Sequence, residues 1–344
     1  MNIYIYPTYT PSRDKSGNLY IKYFHDCFRK VNNVKIVNRL WQIGISSIAF
    51  NLDANVFVIQ WVDLIPGKRF GKIQFVLYLL LVSLISFMGR RIVWVLHNKH
   101  AHNGASKWVD IGMDFMAKHA TFVITHSKEG VTFFNNRYPK YKGKCRYIPH
   151  PVYTKELYVS EKTIYDYVIW GTVSRRKDVL GFLRFAVNSK EMQSKRILVI
   201  GRCLDSQYEK SIIETIRGNE GIEFRNKFVS DEELKRVLSC CRVILFTYNS
   251  ETLLSSGALI YSLNFCKPII GPNAGGFSDL KEIVSVYNDF SEIPTLSTKP
   301  NREACEKYIN ENTWDLFPDK LIDLLIPSKV INMEGEKNCR LYLI

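Results

Sequence analysis

Short apolar runs alternate with longer stretches of helical periodicity along most of the chain. The runs NIYIY (2–6), VKIVN (34–38), VFVIQW (56–61), RIVWVLH (91–97) and TFVITHS (121–127) predict five strands before Ile148. DYVIWGTV (166–173), RILVIGR (196–202), VILFTY (243–248) and KPIIGP (267–272) predict four more after Ile164. Strand and helix in alternation imply parallel sheets with crossover helices, because a parallel neighbour needs a long return connection. The segment from Pro149 to Lys162, with Pro151 inside it, reads as a link between two units. The expected class is therefore α/β, with two Rossmann-like lobes whose parallel sheets face each other across a cleft. The expected boundaries are a first lobe over 1–151, a second over 152–300, a C-terminal helix over 301–327 and a flexible tail over 328–344.

Composition agrees with two lobes. A chain of 344 residues that is 46% hydrophobic exceeds one ordinary core and is too apolar for disorder. No repeat or low-complexity tract interrupts it. The eight cysteines form no C-x-x-C pair and sit mostly in apolar runs, which points to a reduced, cytoplasmic chain without structural zinc. The opening MNIYIYPTYTPS lacks the basic leader and long apolar core of a secretory signal.

With 47 Lys and Arg against 33 Asp and Glu, the formal charge of +14 favours an anionic partner. No nucleic-acid module or arginine-rich aromatic platform accompanies it, so nucleotide phosphates and an anionic membrane surface are the partners expected, and nucleic acid is not. One stretch, Phe75 to Met88, carries no charge and precedes Arg90 and Arg91. It falls short of the ~20 residues that span a bilayer. It is either a buried crossover helix or a helix laid on the inner face of the membrane, with Lys68, Arg69, Lys72, Arg90 and Arg91 meeting headgroups.

Candidate chemistry gathers at strand ends. After the strand at 166–170, Gly171, Thr172 and Ser174 form a small-residue turn, and Arg175, Arg176 and Lys177 follow with positive charge suited to a diphosphate. Ser255, Ser256 and Gly257 stand where a later helix begins, so backbone N–H groups and hydroxyls converge there, for an anion or simply as a cap. Gly271, Gly275 and Gly276 keep the next loop open beside the same crevice. In the first lobe, one strand ends in His97, with His100 and His102 following; no carboxylate or cysteine joins them at a metal-binding spacing. Polar recognition by His97 is favoured over metal binding. Gly17 and Asn18 follow the first strand, either at an acceptor or phosphate site or as a cap. Ser127, ahead of Glu129, reads as a cap, and His150 stands in the link near the cleft floor.

In this order, the Asn18-Leu19-Tyr20 turn, VLHN (95–98), IPHPVY (148–153), GTVSRRKD (171–178) and SSGALIYSLNFCKPIIGPNAGGF (255–277) resemble the bacterial family 4-like GT-B glycosyltransferases of capsular and exopolysaccharide synthesis. The resemblance implies a GT-B fold, an acceptor-side first lobe with Gly17, Asn18 and His102 near the acceptor, and a second lobe that binds a nucleoside diphosphate sugar. It carries the diphosphate-holding role to Lys177 first and to Arg175 and Arg176 after it. Gly171, Thr172, Ser255, Ser256 and Gly257 complete the expected donor site, and His97 faces donor sugar or acceptor. Members of that family also carry a Glu-x7-Glu pair whose second acid grips the ribose; counting back from Pro268, that place falls on Tyr261. Glu251, in the preceding loop, is the nearest carboxylate and the stand-in for the first acid.

The expected activity is thus hexosyl transfer from a nucleotide sugar to a saccharide, and the acceptor expected is a lipid-linked saccharide. His97, Lys177 and Glu251 are its catalytic candidates. No Asp-x-Asp pair occurs in the sequence, so neither an obligatory divalent metal nor a cofactor is expected. Inversion would require a base, Asp14 or a cleft histidine; the family likeness leans toward retention, which requires none. The competing readings are a sugar-nucleotide epimerase of the same fold, which needs carboxylates facing the sugar, and a non-enzymatic basic protein bound to membrane or nucleic acid.

Overall fold

The structure, a computed structural model, describes residues 1–9, 19–39, 44–99, 107–158, 160 and 162–325. The first lobe runs β1 (Asn2–Tyr6), α1 (Leu19–Arg29), β2 (Lys35–Ile36), β3 (Val56–Gln60), α2 (Gly71–Phe87), β4 (Arg91–Leu96), α3 (Lys107–His119), β5 (Phe122–Thr125), α4 (Lys128–Arg137) and β6 (Cys145–Tyr147). Its strands form one parallel sheet ordered β2-β1-β3-β4-β5-β6, with Tyr4 beside Phe57 and Val58 beside Val93. Side chains alternate between the faces of a strand. Tyr4, Phe57 and Trp94 accordingly pack toward α2 and α3, while Ile3, Ile5, Val58 and Val93 pack toward α1.

The second lobe runs β7 (Tyr165–Trp170), α5 (Val179–Asn188), β8 (Ile197–Ile200), α6 (Ser206–Ile216), β9 (Ile222–Arg225), α7 (Asp231–Ser239), β10 (Cys241–Leu245), α8 (Gly257–Ser262), β11 (Ile269–Pro272), α9 (Gly275–Asp279) and β12 (Val284–Tyr287). Its parallel sheet is ordered β12-β11-β10-β7-β8-β9, so the winding reverses between β7 and β10. Open parallel sheets bind ligands at such a reversal, outside the carboxyl ends of the strands.

The nine expected strands are all present, and β6, β9 and β12 are additional. Each of these three is a sheet edge, short and half exposed, so none has the continuous apolar run that marks a strand buried on both faces.

Where one helix was expected over 301–327, the described residues form two, α10 (Arg302–Glu311) and α11 (Phe317–Leu325). Asn312 leaves the helical region at φ −128°, and Pro318, whose ring fixes its backbone and lacks an N–H, sits in the first turn of a new helix. The break lets the pair cross between lobes. Cys305 and Ile309 of α10 pack in the second lobe, whereas Trp314, Phe317, Leu321 and Leu325 pack against Ile3, Ile5 and Phe24 of the first. The expected tail at 328–344 lies outside the described residues.

The apolar stretch has one buried face and one exposed face. Phe75, Tyr78, Val82 and Ile85 of α2 are buried, while Ile73, Val76, Leu80, Leu84 and Phe87 are exposed. Spacings of three and four residues place the exposed set on one stripe. No helix among the described residues is long and apolar enough to cross a membrane.

Phe317 touches the rings of Phe24, Phe28 and Trp314 and is 1% exposed. Phe317→Ala is expected to cost about 3 to 5 kcal/mol of stability by leaving a cavity between α11 and α1. A urea titration with an unchanged midpoint would show that α11 does not brace the first lobe.

Candidate functional site

The two sheets point their carboxyl ends at one cleft, which contains a cavity of about 400 Å³. The first lobe lines it with Tyr20, Trp61, His97 and Asn98, and the link between lobes adds His150 and Tyr153. The second lobe adds Thr172, Arg176, Lys177 and Tyr248, together with Ser255 to Ala258.

Lys177 closes a single helical turn over 175–177 and is only 9% exposed. Its carbonyl accepts from Thr247 Oγ1 at 2.5 Å, and its ammonium donates to the Trp170 carbonyl at 3.3 Å. Gly171, at φ +90°, makes that reach feasible, since a Cβ there would stand 2.8 Å from Lys177 Nζ. Asp178 follows in the left-handed region and caps α5 by accepting from Gly181 N at 3.2 Å. The tight turn and the cap together fix which member of the Arg-Arg-Lys run faces inward.

Across from it, the Ser256 hydroxyl accepts from Leu259 N at 3.2 Å and is 3.1 Å from the Tyr248 hydroxyl. Ser256 is therefore a cap as well as a wall of the cavity. The amides of Gly257 and Ala258 have no acceptor among the described hydrogen bonds, and both residues line the cavity. With six residues, α8 has little dipole, so those amides matter more than the helix field. Burial would raise the Tyr248 hydroxyl, but Lys177, the Ser256 bond and Arg176 outweigh it and lower its pKa.

On the first-lobe wall, Trp61 stacks on His97 with ring centroids 4.3 Å apart and planes 6° from parallel. Trp61 holds φ +50°, an unusual conformation for a bulky residue, directly after β3. His97 Nε2 lies 3.0 Å from Gln60 Oε1 and donates to it, which fixes the ring. Behind them, the Tyr20 hydroxyl donates to His126 Nε2 at 2.7 Å, while His126 Nδ1 donates to the Ile148 carbonyl at 2.8 Å.

The expected residues separate into groups. His97, Thr172, Arg176, Lys177, Ser255, Ser256 and Gly257 share the cavity. Gly171 shapes it from behind. Arg175 turns away to Asp205, 2.9 Å distant, and lies over the Tyr208 ring, because the turn that buries Lys177 points it outward. Glu251 lines a neighbouring cavity of about 390 Å³ on the far side of Tyr248, with Asn249, Asn273 and Asp289. The loop that carries it is held by Asn249 N on the Arg176 carbonyl, which keeps the carboxylate out of the cleft. Gly17, Asn18, His102, His100 and Asp14 lie outside the described residues. Ser127 caps α4 by accepting from Gly130 N at 3.0 Å. Glu129 instead crosses the cleft to accept from Gly275 N at 2.5 Å. Sequence reading passed over Trp61 and Tyr248, whose signal was their position just past the ends of β3 and β10. Among the described residues no three His, Cys, Asp or Glu side chains converge as a metal-ligand group.

The arrangement of two lobes, opposed parallel sheets and a C-terminal helix returning to the first lobe is the GT-B fold. Similar solved structures include HepE of Anabaena in complex with UDP-glucose, with TM-score 0.63, 12% identity and coverage of 94% of this chain and 99% of that one. The lipopolysaccharide outer core galactosyltransferase WaaB matches with TM-score 0.61 and 9% identity over 94% of this chain and 100% of that one. The N-terminal domain of Candida albicans trehalose-6-phosphate phosphatase matches with TM-score 0.62 and 12% identity, over 94% and 98%. At such identities the likeness establishes the fold. No family model matches the sequence, and no curated protein does.

The buried histidines set a pH dependence. Burial lowers His25 and His126 to about 4, and burial followed by the charge of His126 lowers His150 to about 3, from 6.5. Below about pH 6.5 the unfolded chain therefore takes up protons that the folded chain refuses. Stability present above that pH declines toward pH 4, by at most about 1.4 kcal/mol per pH unit for each histidine. Equilibrium denaturation between about pH 7 and 5 checks this, and a level profile would mean that the rings are solvated.

Proposed function

We propose that the chain is a glycosyltransferase that moves a hexosyl group from a nucleoside diphosphate sugar to a saccharide acceptor. The observation that carries the proposal is a buried lysine, an arginine and two open amides facing an aromatic and histidine wall across one cleft. Departure of a diphosphate puts negative charge on the leaving oxygen, and groups fixed around that charge lower the barrier. Lys177, Arg176 and the amides of Gly257 and Ala258 are suited to that task, with Thr172 and the Ser255 and Ser256 hydroxyls around them. The complexes of HepE with UDP and UDP-glucose make uridine donors the first to test.

Among the described residues of the cavity none is a carboxylate, which disfavours the epimerase reading, and the family likeness favours retention. In the retaining step the C1–O bond breaks with its electron pair on the phosphate. The acceptor oxygen bonds to C1 on the same face, and its proton passes to the departing phosphate oxygen. The cationic groups supply the charge stabilisation that a divalent metal supplies elsewhere, so we include metal independence, and the absence of a cofactor, in the proposal.

The acceptor we propose is a lipid-linked saccharide of surface-polysaccharide synthesis, met at the inner face of the membrane. The exposed stripe on α2 supports this, as does its neighbour Trp108 on α3, whose ring lies 5.5 Å from that of Phe75. Arg69 and Lys72, close to the stripe in sequence, and Lys107, next to Trp108, are exposed. Lys68 does not join them, because its ammonium turns inward to the Tyr6 hydroxyl at 3.3 Å. Arg91 is likewise engaged, with the Leu325 carbonyl.

A thermal-shift screen with UDP-, GDP-, ADP- and CMP-linked sugars should find one that stabilises the protein, by about 2.7 kcal/mol at a hundredfold excess over its dissociation constant. Lys177→Ala should then reduce transfer at least ~100-fold with the fold intact by circular dichroism; an unchanged rate sinks the assignment. The membrane part is separate. Leu80→Gln combined with Phe87→Gln should abolish sedimentation with phosphatidylglycerol-containing vesicles without lowering Tm, and equal sedimentation of variant and parent overturns it.

A further inference from the structure

His150 sits in the link after β6, is 5% exposed and lines the cleft cavity beside Gly257. Its Nδ1 lies 2.9 Å from the Pro151 carbonyl. A carbonyl only accepts, so Nδ1 carries the hydrogen. Burial and the neighbouring His126 keep the ring neutral, which leaves Nε2 with a lone pair and no hydrogen. His126 has the same tautomer, but its Nε2 is filled by the Tyr20 hydroxyl. His150 Nε2 has no partner among the described hydrogen bonds, and it stands 4.0 Å from the point where a Cβ on Gly257 would lie. That same Cβ would come within 2.9 Å of the Tyr153 hydroxyl, so glycine keeps this corner of the floor open.

We infer that His150 is a specificity-determining residue whose Nε2 accepts a hydrogen bond from a hydroxyl of the sugar held in the cleft. An almost fully buried acceptor gains from any ligand that brings a donor and loses when it is left unmet. Phosphate oxygens are acceptors, so this nitrogen repels them, and the cations on the second-lobe wall attract them. The two walls thereby sort the two halves of a nucleotide sugar, with the diphosphate on Lys177 and Arg176 and the sugar ring over the link. A site built to hydrogen-bond a hydroxyl rejects the analogue lacking it far more strongly than an apolar pocket rejects a missing methylene. The inference rests on the proposal that a nucleotide sugar occupies the cleft.

Two substitutions separate contact from scaffold. In His150→Asn the amide remains where Nδ1 was, able to donate to Pro151, and no acceptor reaches the cavity. In His150→Gln the longer side chain returns an oxygen to the place of Nε2. Calorimetry of each variant with UDP-, GDP- and ADP-hexoses, and with the matching free diphosphates, reads the difference. For the sugar nucleotide that the parent binds, His150→Asn should weaken binding about tenfold or more. Its free diphosphate should bind as before, and His150→Gln should recover much of the loss. Equal weakening of sugar nucleotide and diphosphate, or no weakening, overturns the inference while the glycosyltransferase proposal stands. A parent that binds no sugar nucleotide overturns both.

The contact can also be removed from the ligand. Among monodeoxy versions of the bound sugar, one should lose affinity for the parent by a similar factor. If none does, the inference fails, whether or not the variants fold.

Discussion

An ammonium almost withdrawn from water must find negative charge or strong dipoles, and Lys177 has only part of what it needs from its own chain. It meets the Trp170 carbonyl at 3.3 Å and the Tyr248 side chain, whose ring centre lies 5.2 Å away and whose hydroxyl it helps to acidify, and no carboxylate pairs with it among the described ion pairs. Burying an incompletely compensated charge is costly, so the surrounding structure must hold it there. The Gly171 turn, the Thr247 anchor and the Asp178 cap do so together. The same strain that makes this lysine expensive to bury makes the cleft receptive to an anion.

Much of this organisation was legible in the sequence, for a topological reason. In a doubly wound sheet every strand points its carboxyl end at the same edge, so a polar motif just after an apolar run is delivered to the crevice without knowledge of the packing. His97, Thr172, Lys177 and Ser256 were found that way. What lies beyond that rule was not readable. Whether Arg175 or Lys177 turns inward depends on the phase of one helical turn. Trp61 and Tyr248 carry the ordinary signature of core aromatics, although both sit on the cavity wall. Edge strands such as β9 and β12 lack the apolar density that reveals the central ones.

Glu251 and Tyr261 mark where the resemblance and the molecule part. The place of the ribose-gripping acid is held by Tyr261, which packs against Trp170 with centroids 5.4 Å apart, and Trp170 Nε1 donates to Ser262 at 3.0 Å. An aromatic pair thus occupies ground where the resemblance would place a carboxylate. Glu251, the nearest acid in sequence, opens instead onto the adjoining cavity. Under the proposed function, recognition of the nucleoside would depend on shape and neutral groups more than on charge.

The polypeptide passes between the lobes twice, once through the link around Val152 and once between α10 and α11. The two passages run side by side, joined by the Val152 N–H on the Asn312 carbonyl at 2.7 Å and a parallel bridge from Val152 to Thr313. A pair of adjoining pins defines an axle. The halves can swing about it like covers on a spine, but sliding along the groove is resisted. Opening therefore widens the gap between the cationic wall and the histidine wall without shifting one sideways past the other.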